Sequence, residues 1–141
     1  MQYSFLVAAL TTALVSGTAL KDRTAGEPDN VGTSLNKRGC FDGGENWGAD
    51  RNYAYNYATR ACEEAFVGTY RPGDIRAICY NLDSTKKVDF ALELISKSNR
   101  DIAADECYDG LQKEIGGCDN GGSTSYTNWK YTSDPNAGQC A

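Results

Sequence analysis

Polar and apolar residues alternate most strictly over residues 87–95. There Val88, Phe90, Leu92 and Leu94 interleave with Asp89, Ala91, Glu93 and Ile95. A period of two predicts a strand with one buried face. Residues 75–81 read as a second strand, and the polar run Leu82-Asp83-Ser84-Thr85-Lys86 between them predicts an antiparallel hairpin. A helical period appears twice. Asp50 is a fitting N-cap for a helix to about residue 66, with a small-residue stripe of Ala54, Ala58, Cys62 and Ala65. Asp101 is the corresponding start of a helix to Ile115, which would bury Ala104, Cys107, Tyr108, Leu111 and Ile115. Gly110 within it costs about 1 kcal/mol against alanine, which predicts close packing there.

A last strand is predicted over residues 126–132, followed by a turn at Asp134-Pro135-Asn136-Ala137-Gly138. A short first strand around Cys40-Phe41 completes the order β-α-β-β-α-β. The predicted fold class is α+β: an antiparallel sheet with two helices on one face, a ferredoxin-like split βαβ. In that topology the first and last strands are antiparallel neighbours, which would bring Cys40 near Cys140.

The N-terminal third has another character. Residues 1–19 form an apolar stretch too short to span a bilayer, ending in the small-x-small pattern Gly17-Thr18-Ala19, and read as a secretory signal. Residues 20–38 are polar and unpatterned, and close in Lys37-Arg38 directly before Gly39-Cys40. That dibasic pair is a candidate processing site. Cleavage after it would leave a secreted, extracellular domain of residues 39–141, starting at Gly39.

All six cysteines, Cys40, Cys62, Cys79, Cys107, Cys118 and Cys140, fall in that domain. An even count in a secreted chain of this size predicts three disulfides and no metal, with 15 connectivities open. No cofactor is expected. The domain holds 10 basic and 16 acidic residues, which argues against a nucleic-acid partner. Neither predicted helix is basic, and no stable membrane insertion is expected. The chain has no histidine, which removes Ser-His-Asp, Cys-His and most zinc chemistry. Carboxylates such as Asp42 and Glu45, or Asp105, Glu106 and Asp109, form no recognisable glycosidase pair, and no catalytic residue is assigned. The chain is read as a non-enzyme.

Recognition has better material. Trp129 and Tyr131 share one face of the last strand, while Tyr126, Asn128 and Lys130 share the other; one face must be core. A candidate ligand site comprises Trp129 or Tyr131 as a stacking platform with Asp134 and Asn136 as hydroxyl partners, a set suited to a sugar. The same residues also read as a core aromatic pair followed by a plain backbone turn. A second cluster, Asp42-Gly43-Gly44-Glu45-Asn46-Trp47, lies near the start of the domain.

Cys107-Tyr108-Asp109-Gly110-Leu111, Glu114-Ile115-x-Gly117-Cys118, Gly121-Gly122, Trp129-x-Tyr131 and Asp134-Pro135-Asn136-x-Gly138-x-Cys140 occur in that order. With Cys40-Phe41 and Asn46-Trp47-Gly48 they resemble a family of small secreted fungal proteins that includes a mushroom glycan-binding, lectin-like protein. The C-terminal motifs are also similar to secreted necrosis-inducing and killer-toxin-like effectors. The resemblance implies a lectin-like protein with extracellular glycans or glycoproteins as partners; the other reading is an effector or toxin acting on host or competitor cells. An uncovered sheet edge would support a homodimer.

Overall fold

The computed structural model describes residues 39–141. The secretory and processing segments, residues 1–19 and 20–38 with Lys37 and Arg38, lie outside the described residues. A 3-10 turn (Gly48–Asp50) leads into helix α1 (Arg51–Ala61), which continues through one π-helical stretch (Cys62–Phe66). Strands β1 (Gly68–Tyr70), β2 (Ile75–Asn81), β3 (Lys86–Leu94) and β4 (Arg100–Ile102) come next. Helix α2 (Ala104–Gly117) and strands β5 (Gly122–Tyr126) and β6 (Trp129–Ala137) complete the order.

The alternation in β3 builds the core. Val88, Phe90, Leu92 and Leu94 are buried, and each lies opposite a buried residue of β6: Pro135, Ser133, Tyr131 and Trp129 in turn. The four-stranded sheet has the order β2-β3-β6-β5, antiparallel throughout. Helix α1 packs on α2 and β3, and α2 packs on β5 and β6, so the apolar face of the sheet is covered by helices. The class is α+β with two helices and three disulfides, as the sequence predicts.

The connectivity differs from the ferredoxin-like order. Both edges of β6 are taken, one by β3 and one by β5, so no place remains beside it for a first strand. Cys40 forms only an isolated bridge to Gly122 on the outer side of β5. Cys40 therefore bonds Cys118, and Cys140 bonds Cys79; the expected approach of Cys40 to Cys140 does not occur. Cys62–Cys107 ties the π-helical stretch to α2.

Four local expectations also change. Residues 126–132 are not one strand: a hairpin turn at Thr127, whose φ is +53°, divides β5 from β6 and puts Tyr126 beside Tyr131, not on the opposite face. The expected turn at residues 134–138 is strand as far as Ala137. Pro135 is tolerated because β5 begins opposite Ser133, and the Pro135 Cδ faces the Gly121 bend, not a ladder partner. Asp101 does not cap α2, which starts after Ala103. It pairs instead with Thr69 in the β1–β4 ribbon and accepts that residue's hydroxyl, while its neighbour Ile102 enters the core. Asp50 precedes α1 without a capping bond; its carboxylate takes Lys86 Nζ at 3.1 Å.

Candidate functional site

The residues expected to act together are separated by the pleat of β6. Trp129 is 1% exposed and Tyr131 is 3% exposed. Trp129 meets Tyr70 edge-on at 5.1 Å, and Tyr131 lies over Gly110 of α2. Neither ring is a surface platform, because its strand partners, Leu94 and Leu92, face the same core. Asp134 and Asn136 point the other way, towards the face that, among the described residues, α1 and α2 leave open. Trp47, in the second cluster, is also fully buried, and its indole N–H donates to the Cys118 carbonyl at 2.8 Å.

The open face has its own organisation. Asp134 lies opposite Asp89 and Asn136 opposite Lys87. The Asn136 amide donates to Asp89 Oδ2 at 3.0 Å, and Lys87 Nζ pairs with the same oxygen at 3.1 Å. On the β5 side, the hydroxyls of Ser123 and Thr132 are 2.7 Å apart. Ala91, opposite Thr132 and Ala77, leaves a shallow flat centre. Ile75, 61% exposed, forms an apolar rim on β2.

One end of the face is closed by the C-terminal segment. Gly138 N–H bonds Thr85 O, Gln139 Nε2 bonds Asp83 O, and Cys140 N–H bonds Asn81 Oδ1 before the chain is tied to Cys79. These contacts hold Asn136 and Asp134 in place beside the β2–β3 turn. Burial pushes the Asp134 carboxyl above the usual carboxylate range, and the charge of Asp89 adds to the effect, while Asn136 and Lys87 oppose it. Acceptors, an amide, an ammonium and hydroxyls thus converge on one surface. They can hydrogen-bond adjacent hydroxyls of a polar ligand.

Asp89, Thr132 and Lys87 were not among the residues expected at a site. Their polar positions within apolar alternation were visible, but the pairing of β3 with β6 that assembles them was not. A second polar region surrounds the start of α1. Asn46, Gly48, Arg51, Asp119 and Asn120 line a cleft of about 400 Å³. Within it Arg51 pairs with Asp119 at 2.8 Å and the Asn120 amide donates to Gly44 O at 3.0 Å. Among the described residues no group of His, Cys, Asp or Glu is placed to hold a metal ion, and every cysteine is in a disulfide.

Residues 54–140 match the family model of the glycan binding domain Y3. The curated proteins compared include no match to the chain.

Proposed function

Since the chain belongs to the glycan binding domain Y3 family, we propose that it is a secreted, non-catalytic lectin-like protein that holds an extracellular glycan on the open face of its four-stranded sheet. Asp134 and Asn136 are the hydroxyl partners in this reading, with Asp89 and Thr132 beside them. One observation carries it: Asn136, Asp89, Asp134 and Lys87 converge across the β3–β6 register on the face away from α1 and α2. Planar amide and carboxylate groups at strand spacing suit the paired hydroxyls of a pyranose, and Ala91 leaves room for its ring. Trp129 and Tyr131 support the site from beneath as core. The outer edge of β2, which has no strand partner among the described residues, favours a homodimer, which would present two such faces.

The test is a glycan array with the secreted protein, followed by titration of the best ligand into Asn136→Ala. Affinity falls about tenfold, the worth of one or two hydrogen bonds to a polar ligand, while the melting temperature stays near that of the wild type. Full affinity in Asn136→Ala with loss in Arg51→Ala would move the site to the cleft beside α1. Lysis of lipid vesicles with no glycan bound would favour the effector reading instead.

A further inference from the structure

Helix α2 meets the β5–β6 hairpin around a cavity of about 160 Å³, lined by Glu106, Asp109, Gly110 and Lys113 of the helix and by Tyr126 and Tyr131 of the hairpin. The four helix residues follow the spacing i, i+3, i+4 and i+7, which puts them on one face. The cavity lies on the helical side of the sheet. Asp134 and Asn136 leave β6 on the other side.

Tyr131 brings a polar atom to this cavity from the core. The residue is 3% exposed, yet its hydroxyl has no hydrogen-bond partner among the described residues. Buried polar groups are almost always paired. Gly110 lets the ring reach the cavity wall: a Cβ there would meet Cζ, the atom that carries the hydroxyl, at 2.4 Å. Burial pushes the phenol well above its ordinary range, and the charges of Glu106 and Asp109 push the same way. The hydroxyl therefore keeps its proton and remains a donor.

The charges around it have both signs. Lys113 Nζ pairs with Asp109 Oδ2 at 2.5 Å and stands 5.1 Å from the centre of the Tyr126 ring. Glu106, exposed at the rim, enters no salt bridge among the described residues. A cationic ligand would meet Lys113, and an anionic one would meet the two carboxylates. A neutral group that both donates and accepts suits the set, and adjacent hydroxyls of a sugar ring have that property. Each can donate to a carboxylate while accepting from the ammonium or the phenol. A volume of about 160 Å³ equals roughly five water molecules, room for the edge of one ring and not for a chain of sugars.

We infer that this cavity is a separate sugar subsite, which takes the hydroxyl-bearing edge of one neutral hexopyranose between Tyr131, Glu106 and Lys113. The Tyr131 hydroxyl donates to one ring hydroxyl, Glu106 accepts from its neighbour, and Lys113 donates a further bond. Asp109 is a positioning residue that holds Lys113 in place. The inference shares with the proposed function only that the ligand is a sugar, since its residues lie on the opposite side of β6 from Asp134 and Asn136.

The experiment titrates the isotope-labelled secreted protein with methyl glycosides of glucose, galactose, mannose and N-acetylglucosamine, and follows amide signals by NMR. Glucosamine and glucuronate serve as cationic and anionic counterparts. At least one neutral glycoside should shift the signals of Gly110, Lys113 and Thr127, and equally so in Asn136→Ala. Tyr131→Phe removes one oxygen and no internal hydrogen bond. It should weaken that sugar about fivefold at an unchanged melting temperature. Glu106→Gln, on the exposed rim, leaves the packing alone and should weaken the same sugar by a similar factor. Both charged sugars should bind more weakly than the neutral one. The subsite is overturned if no glycoside shifts the signals around Gly110, if Tyr131→Phe and Glu106→Gln keep full affinity, or if a charged sugar binds more tightly. Shifts confined to Asn136 and its β3 neighbours overturn it too, and leave the open face as the site. Shifts around Gly110 with none at Asn136 support the subsite and remove the open face.

Discussion

The ring of Tyr131 occupies the space in which a side chain on Gly110 would stand: a Cβ there would come within 2.2 Å of Cε1 and 2.3 Å of Cδ1. A glycine in mid-helix and a tyrosine in mid-strand thus form one packing unit, which sets how closely α2 approaches β6. Helix propensity alone favours Gly110→Ala by about 1 kcal/mol. Overpacking against a buried ring costs more, because Tyr131 is itself held between α2 and Leu92. Gly110→Ala should therefore lose about 2 kcal/mol in urea unfolding. An unchanged or raised midpoint would show that the ring has room to move.

Trp129 separates core from binding surface. Its edge-on contact with Tyr70 and its pairing with Leu94 are internal. Trp129→Phe should cost about 2 kcal/mol of stability through lost burial and packing. Glycan affinity of the folded variant should match the wild type in calorimetric titration. A large affinity loss with little change in stability would return the ring to the ligand site.

Asp134 gives a prediction in pH. Its folded-state pKa is raised, chiefly by burial. The protonated form is thus the one that folding favours, and its contribution is full below the unfolded value near 3.8 and lost as pH rises through the folded one. At pH 7 the ionised group works against folding. Asp134→Asn should be more stable than wild type at pH 7, and the gain should vanish near pH 3. Urea midpoints at the two pH values check this, and a variant less stable at pH 7 contradicts it.

The disulfides should not rank by loop length. Cys79–Cys140 spans 61 residues and Cys62–Cys107 spans 45, a difference worth only about 0.3 kcal/mol in loop entropy. Cys62 and Cys107 are fully buried between the helices, whereas Cys79 and Cys140 lie at the partly exposed edge of the sheet. Cys62→Ala/Cys107→Ala should cost more by about 1–3 kcal/mol, from the cavity that the sulfurs leave. Equal losses would mean that loop closure outweighs packing here.

Elements whose cause is local are legible along the chain. The alternation of β3, the small-residue stripe of α1 and the turn at residues 82–85 depend on side chains a few positions apart, and Gly110 announced its close packing by costing helix stability. The periodicity that carries the α+β class and the even cysteine count that predicts three disulfides are likewise readable along the chain. Features that depend on partners far away in the chain were set by packing. Asp101 has the chemistry of a helix cap and became strand because β1 offered it a ladder. Asp134-Pro135-Asn136 has the chemistry of a turn and became strand because β3 pairs there, with the Pro135 ring turned to the side where β5 has ended. Cys40 went to Cys118 because β6 had no free edge. The candidate site followed the same division. Asp134 and Asn136 could be chosen by residue type, but which face of β6 meets water was set by α2 covering Trp129 and Tyr131. A strand's pleat puts its residues on two faces; only the layer packed against one of them decides which face is left for a ligand.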